Sequence, residues 1–213
     1  MSKIYMTSLY NLGQDYPLYE KMYEMSCESV HNFMHDFDKH IVLKGKEDNP
    51  FEMLRQTYYG IMAEVKKGNS VFFMEIDAIM VKPVFGMFEF EMVEMFARTS
   101  PFSLKYKGVT YDPYMNSGIK FFPATLSREL IAKADEMILN YDESFWGYDQ
   151  VVYNMLYYSQ HERAKLRTHL NYMPFKDFIL DIPERDASII HLCSSRGAKE
   201  CHDRMYYYYM NGV

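Results

Sequence analysis

Glu75 and Asp77 close the hydrophobic run Val71-Phe72-Phe73-Met74, and apolar character resumes after them at Ala78-Ile79-Met80. A buried strand has no use for two carboxylates at its end unless a cation sits there, because an unpaired buried charge is costly. On an extended backbone a spacing of two puts both side chains on one side. Two hard oxygen ligands on one side suit Mg²⁺ or Mn²⁺, and a metal held so would in turn hold a phosphate-bearing ligand. The competing reading is a pair of solvated acids at a strand end. The apolar residues on both flanks weigh against it.

A second constellation lies far along the chain. His191 follows the strand-like Ile189-Ile190 and precedes a loop with Arg196, Gly197 and Lys199. A lone histidine is more often structural than a ligand. Beside a basic, glycine-bearing loop it gains weight, since neutral imidazole serves as a third metal ligand next to carboxylates. Arg196 and Lys199 can neutralise phosphate oxygens, and Gly197 lets the backbone approach closely. The alternative is an ordinary loop of solvated charges. Asn116-Ser117-Gly118 and Tyr148-Asp149-Gln150 are each weak signals alone. The first is a common turn triplet. In the second, an acid beside an amide at a helix entry suits sugar hydroxyls, or simply a helix cap. His35-Asp36-Phe37-Asp38 reads as a polar helix terminus. The chain has no nucleophile elbow, Walker loop or zinc pattern.

The elements that must position these groups follow from periodicity. Lys3 to Ser8 reads as a strand. Pro17 to about Phe37 reads as a helix, with Leu18, Met22, Met25, Val30, Phe33 and Met34 at helical spacing. Ile41-Val42-Leu43 is a second strand. Phe51 to Lys67 is a helix ended by Gly68-Asn69. Val71 to Met74 is the strand that delivers the acid pair. The order β-α-β-α-β implies parallel strands with crossover helices, and ligands in such sheets bind at the carboxyl ends of strands. Thr7, Ser8, Glu75 and Asp77 all fall near those ends. Beyond them, Ser127 caps a helix to about Asn140, and another helix begins near Tyr148. Leu170 to Ile182 reads as loop and short strand, and Ile189 to Leu192 as the last strand. The Tyr206 to Tyr209 run reads as the start of a segment leading elsewhere in a longer polypeptide.

Bulk properties bound the function. The 213 residues suit one domain, and 48% hydrophobic against 24% charged residues allows a sizeable core. A net charge of -6 argues against general nucleic-acid binding, which needs a basic footprint. Cys27, Cys193 and Cys201 share no ligand spacing, and their odd number suggests reduced thiols in a cytosol-like compartment. The N-terminus has no signal-peptide apolar region, and no stretch is long enough to span a bilayer.

Taken in order, these pieces form a pattern: a β-α-β start, acid-x-acid after the third strand, Asn-Ser-Gly, Asp-Gln, then His-x₅-Gly-x-Lys. The pattern resembles the GT-A-fold glycosyltransferases, in particular the glycogenin-like and galactosyltransferase-like retaining group that uses nucleotide sugars. It spans roughly Lys3 to Lys199. The resemblance implies an α/β fold, a single GT-A-type (Rossmann-like) domain with a mostly parallel central sheet flanked by helices. Residues 1–80 would be the nucleotide-binding half and residues 81–213 the donor-sugar and acceptor half.

The resemblance also implies roles. Glu75, Asp77 and His191 would hold Mn²⁺ or Mg²⁺, and Lys199 would contact the diphosphate. Thr7, Ser8 and Tyr10 would hold the base, and Arg55 would approach the donor. Asn116, Asp149 and Gln150 would face the donor sugar and reaction centre. Glu75 departs from the family's usual aspartate, and its extra methylene could shift its oxygen from the metal towards the ribose. The implied reaction is transfer from a UDP-sugar of the UDP-glucose, UDP-galactose or UDP-rhamnose class to a glycan or glycoprotein acceptor, with retention. Small size, no membrane anchor and an abundance of Met and Tyr are also similar to capsid-glycan glycosyltransferase domains of large algal DNA viruses, which implies a cytoplasmic setting, the host's if viral. Two alternatives remain open from the residues: a non-catalytic nucleotide-sugar or glycan-binding module, and a metal-dependent phosphohydrolase.

Overall fold

The computed structural model describes residues 1–11, 13–45, 49–84, 93–95, 103–112, 116–159, 164–166, 171–172, 187–192 and 197–211. The first elements are β1 (Lys3–Tyr10), α1 (Tyr16–Phe33), β2 (Lys39–Gly45), α2 (Pro50–Lys66) and β3 (Ser70–Met74). Both β2 and β3 pair parallel to β1, from opposite sides, as the β-α-β-α-β order predicts. Pro50 stands in the first turn of α2, where its missing N–H costs nothing, and Asn49 Oδ1 accepts from Phe51 N at 2.9 Å. Gly68, at φ +82°, lets the chain turn out of that helix and into β3.

Helix α1 stops at Phe33, four residues before the expected end, and Met34 is already extended. The reason lies in what Phe37 and Asp38 do. Phe37 packs on Tyr5 and Phe72 with ring centroids 5.7 and 5.9 Å away. Asp38 pairs its backbone N–H with Lys3 O and accepts Lys3 N–H on its carboxylate, both at 2.8 Å. Burial against the sheet overrides the helical spacing.

After β3 come β4 (Ala78–Met80), β5 (Val93–Met95), β6 (Leu104–Tyr106), β7 (Val109–Tyr111), β8 (Ile119–Phe122), α3 (Arg128–Leu139) and α4 (Tyr148–Ser159). The last elements are β9 (Ala164–Leu166), β10 (Asn171–Tyr172), β11 (Ile189–His191) and α5 (Ala198–Asn211). The central sheet runs β2-β1-β3-β8-β5-β9, with β8 antiparallel to both neighbours. A second sheet, β10-β11-β4, takes the chain directly after the acid pair. Ser127 does precede α3, but its side chain makes no capping bond. Of the stretch between Leu170 and Ile182, only Asn171 and Tyr172 are described. Cys193 and Arg196 lie outside the described residues.

Strand alternation divides the core. Ile4, Met6, Val71, Phe73 and Phe122 face α2, α3 and α4, where Tyr58, Ile61, Ile131 and Val152 meet them. Tyr5, Phe72, Met74, Ile119 and Phe121 face the other way, towards Val30 and Met34. A third cluster joins α1 to α5 through Met22, Met25, Ile79, Ile190 and Met205. The tyrosine run at 206–209 lies within α5, with Tyr208 and Tyr209 packed on this cluster. No helix among the described residues is long and apolar enough to cross a membrane.

Candidate functional site

The acids stand where the chain changes sheets. Residues 75–77 form a turn, closed by Ala78 N donating to Glu75 O at 3.2 Å, not the extended strand the spacing predicts. Two strand pairings fix this turn. Glu75 N donates to Gly118 O just before β8, and Leu192 N donates to Asp77 O just beyond β11, both at 2.9 Å. The antiparallel register of β11 on β4 sets His191 opposite Ala78. His191 Nε2 thereby lies 3.2 Å from Asp77 Oδ1 and 3.3 Å from Glu75 Oε2. The longer Glu75 side chain still reaches the imidazole.

This group fits a divalent cation. One ligand atom from each residue lies within 4.8 Å of the others. Neighbouring ligands of an octahedral ion with ~2.1 Å bonds stand about 3 Å apart, close to the separations of His191 Nε2 from the two carboxylates. His191 Nδ1 is buried without a hydrogen-bond partner among the described residues, and Nε2 faces the two carboxylates. Burial pulls the imidazole's pKa down, but Asp77 and Glu75 outweigh it and hold it well above the usual histidine range. A β-carbon at position 118 would stand 2.2 Å from His191 Cε1 and 2.8 Å from both Glu75 Oε2 and His191 Nε2. Glycine at 118 therefore leaves the three side chains their room.

The group borders a cavity of about 260 Å³. Asn116, Ser117 and Gly118 form one wall, tied by Gly118 N donating to Asn116 Oδ1 at 2.9 Å. The start of α4 forms the next. Gly147, at φ +83°, turns the chain so that Asp149 and Gln150 enter the helix facing inward. Ser117 Oγ donates to Asp149 Oδ2 at 3.0 Å, and Asp149 N donates to Tyr141 OH at 3.3 Å. Burial pushes the Asp149 carboxyl up, against the opposing pull of Lys120 and Ser117. Gln150 Oε1 and Tyr153 OH are buried on this wall with no hydrogen-bond partner among the described residues. Native interiors seldom leave such groups unsatisfied, so a cavity walled by several points to a polar occupant.

The other expected residues are placed unevenly. Ser8 and Tyr10 line the cavity at the carboxyl end of β1, and Tyr10 OH lies 3.5 Å from Thr57 Oγ1. Thr7 is buried in the sheet beside them and is not part of the cavity wall. Arg55 is held by Glu52 at 3.3 Å and Glu143 at 3.0 Å and lies over the Tyr141 ring. It too stands outside the cavity wall. Lys199 is exposed in the first turn of α5, paired with Asp203 at 2.5 Å.

Sequence reasoning missed Lys120 and Trp146. Lys120 sits in a strand whose other residues are Ile119, Phe121 and Phe122, and a lysine in such a run is the signal that could have found it. Trp146 is 70% exposed at the cavity mouth, edge-on to Phe51 with centroids 5.8 Å apart.

No protein-family profile and no curated protein sequence matches this chain. Solved structures do. One is a glycosyltransferase involved in glycosylation of the major capsid of PBCV-1, with TM-score 0.66 and 14% identity over 96% of this chain and 98% of that one. The galactosyltransferase LgtC, in complex with donor and acceptor sugar analogues, gives TM-score 0.54 and 12% identity over 96% and 95%. The glycosyltransferase GlyE of Streptococcus pneumoniae TIGR4 gives 0.61 and 17%, over 99% of this chain and 60% of GlyE. At such identities the likeness is one of fold, and the fold is the GT-A type.

Proposed function

We propose, from the GT-A fold this chain shares with those three transferases, that it is a metal-dependent glycosyltransferase. It moves a sugar from a UDP-sugar of the UDP-glucose, UDP-galactose or UDP-rhamnose class to a glycan or glycoprotein acceptor, with retention. The observation that supports this most is the meeting of Glu75, Asp77 and His191 at the edge of a cavity that Asp149 and Gln150 also line. The fold likeness to a transferase of a viral capsid suggests a capsid glycan as the acceptor and a host cytoplasm as the setting.

In this reading residues 1–80 hold the nucleotide and residues 81–213 the two sugars. Ser8 and Tyr10 face the base, with Thr7 shaping the strand behind them. Glu75, Asp77 and His191 hold Mn²⁺ or Mg²⁺, which when bound supplies positive charge to the leaving diphosphate. Lys199 releases Asp203 to reach the same diphosphate, and Arg55 approaches the donor by giving up Glu143. Asn116 and Gln150 orient the sugar by hydrogen bonds. Asp149 sets a carboxylate against the positive charge that develops at the anomeric carbon. Among the described residues a single acid-histidine group of this kind exists, which weighs against a two-metal phosphohydrolase.

The test is calorimetric titration of UDP, then GDP, with and without Mn²⁺, on the native chain and Asp77→Ala. UDP binding that needs metal and vanishes in the variant supports the reading, and a UDP-sugar screen then identifies the donor. Absence of binding to either nucleotide with any metal overturns it.

A further inference from the structure

Lys120 is 2% exposed, in the middle of β8, in the core. Its register partner on β3 is Phe73. Its ammonium lies 4.5 Å from the Phe73 ring centroid and 4.0 Å from that of Tyr153, and it donates to the Ser117 carbonyl. Rings help a cation, but they do not replace the water it has lost. A buried lysine therefore needs a countercharge, and two carboxylates act on it, Glu75 and Asp149.

The connection to Asp149 is specific. Asp149 and Tyr153 are one turn apart on α4, so both look towards the same face of β8. Ser117 joins the two charges. Its carbonyl accepts from Lys120, and its hydroxyl donates to Asp149 Oδ2 at 3.0 Å. Lys120 lines the cavity wall but keeps only 2% of its surface exposed, so its effect on an occupant passes mainly through its neighbours.

We infer that Lys120 is a positioning residue: a fixed internal cation that, through Ser117, keeps the Asp149 carboxylate charged and aimed into the cavity. Its role in sugar transfer rests on the function proposed above; the pairing itself does not. A carboxylate that meets developing positive charge is most effective when fixed and desolvated beforehand. Burial alone would favour protonating Asp149. A cation built into the adjacent strand opposes this without competing for the substrate. The Ser117 link also holds the turn that brings Gly118 beneath His191, so one side chain braces both ends of the cavity wall.

The experiment compares the native chain with Lys120→Met, Asp149→Asn and the double variant. Methionine keeps the length and tolerates the two rings. Thermal unfolding is measured first. Each single variant is expected to lower the melting temperature, and the double variant to melt at or above the less stable single, because both charges leave together. Additive losses would overturn the pairing. The second readout is turnover and metal-dependent UDP binding of Lys120→Met. We expect kcat to fall about 100-fold, with the UDP dissociation constant and donor KM within about threefold, and Ser117→Ala to reproduce the same split in milder form. Native kcat in Lys120→Met, or loss of UDP binding in step with kcat, would overturn the positioning role. A native chain without turnover would sink the proposed function instead, and the unfolding cycle, which needs no donor, would still decide the pairing.

Discussion

Gly118 lies so close beneath His191 that a β-carbon on it would stand 2.2 Å from the imidazole Cε1. The atoms it would meet are a ring whose strand is held between β4 and β10, and the Glu75 carboxylate. Neither can move aside without leaving the group that faces Asp77. The backbone of Gly118 also accepts Glu75 N–H, so the site and the sheet share this residue.

Gly118→Ala is therefore expected to displace His191 or Glu75 and weaken Mn²⁺-dependent UDP binding by about tenfold to 100-fold, the range seen when a metal ligand loses its proper orientation. Metal-independent UDP affinity should change little. Calorimetry with and without Mn²⁺ reads both. Undiminished metal dependence in a folded Gly118→Ala variant would count against this group as the metal site.

The stability of the chain should depend on pH through Lys120. Burial lowers its pKa to about 8 from an ordinary value of 10.5, with Glu75 and Asp149 opposing the shift. Between those values the unfolded chain keeps the proton and the folded chain has released it. The unfolded state then binds more protons, so stability rises with pH across this window. Lys120→Met lacks the group. The melting temperature of the native chain should therefore rise relative to that variant between pH 8 and 10, and the difference should be flat from pH 6 to 7. A native chain that loses ground to the variant over the same window would reverse the sign.

Helices α2 and α3 are tied by a smaller network away from the site. Tyr58 OH, at the end of a fully buried side chain, donates to Asp135 Oδ1 at 3.0 Å, and Lys66 Nζ meets Asp135 Oδ2 at 2.7 Å. Burial, then Asp135, raises the Tyr58 phenol far above its usual range, so it remains a donor at any ordinary pH. Asp135→Ala leaves that hydroxyl without its acceptor, at a cost of about 1–2 kcal/mol. Most of this comes from the buried hydroxyl, since the Lys66 pair is exposed and screened. Chemical denaturation should show the loss, with UDP affinity unchanged.

The pairing of β1, β2 and β3 was legible because each strand is a short apolar run between helices of clear period. The acid pair was legible for a partly different reason from the one the spacing gave. Glu75 and Asp77 converge through a turn fixed by Gly118 and Leu192, residues far away in sequence. His191 stood out because it follows a strand-like run and precedes a basic, glycine-bearing loop. Lys120 did not, since four residues show no period and the partner strand of β8 is not written locally. The end of α1 was misread because Phe37 continues the helical spacing while its ring belongs to the sheet. Arg55 shows a similar limit: its partner Glu143 lies in another segment, and no local pattern announces the pair.

Under the proposed function, Trp146 offers the clearest separation of acceptor from donor. It is the chain's single tryptophan, 70% exposed, on the loop that leads through Gly147 to Asp149. Phe51 meets it edge-on at 5.8 Å, which steadies the indole while leaving most of it open. Exposed tryptophan is uncommon without a partner, and its broad apolar face suits the C–H face of a sugar ring. Its exposure at the edge of the cavity fits a sugar arriving from solvent. Trp146→Ala should raise the acceptor KM about tenfold, the loss of roughly one aromatic contact, and leave metal-dependent UDP binding and donor hydrolysis as they were. Steady-state kinetics with varied acceptor, set beside UDP calorimetry, separates the outcomes. A variant that loses UDP affinity as well would place the indole on the donor instead.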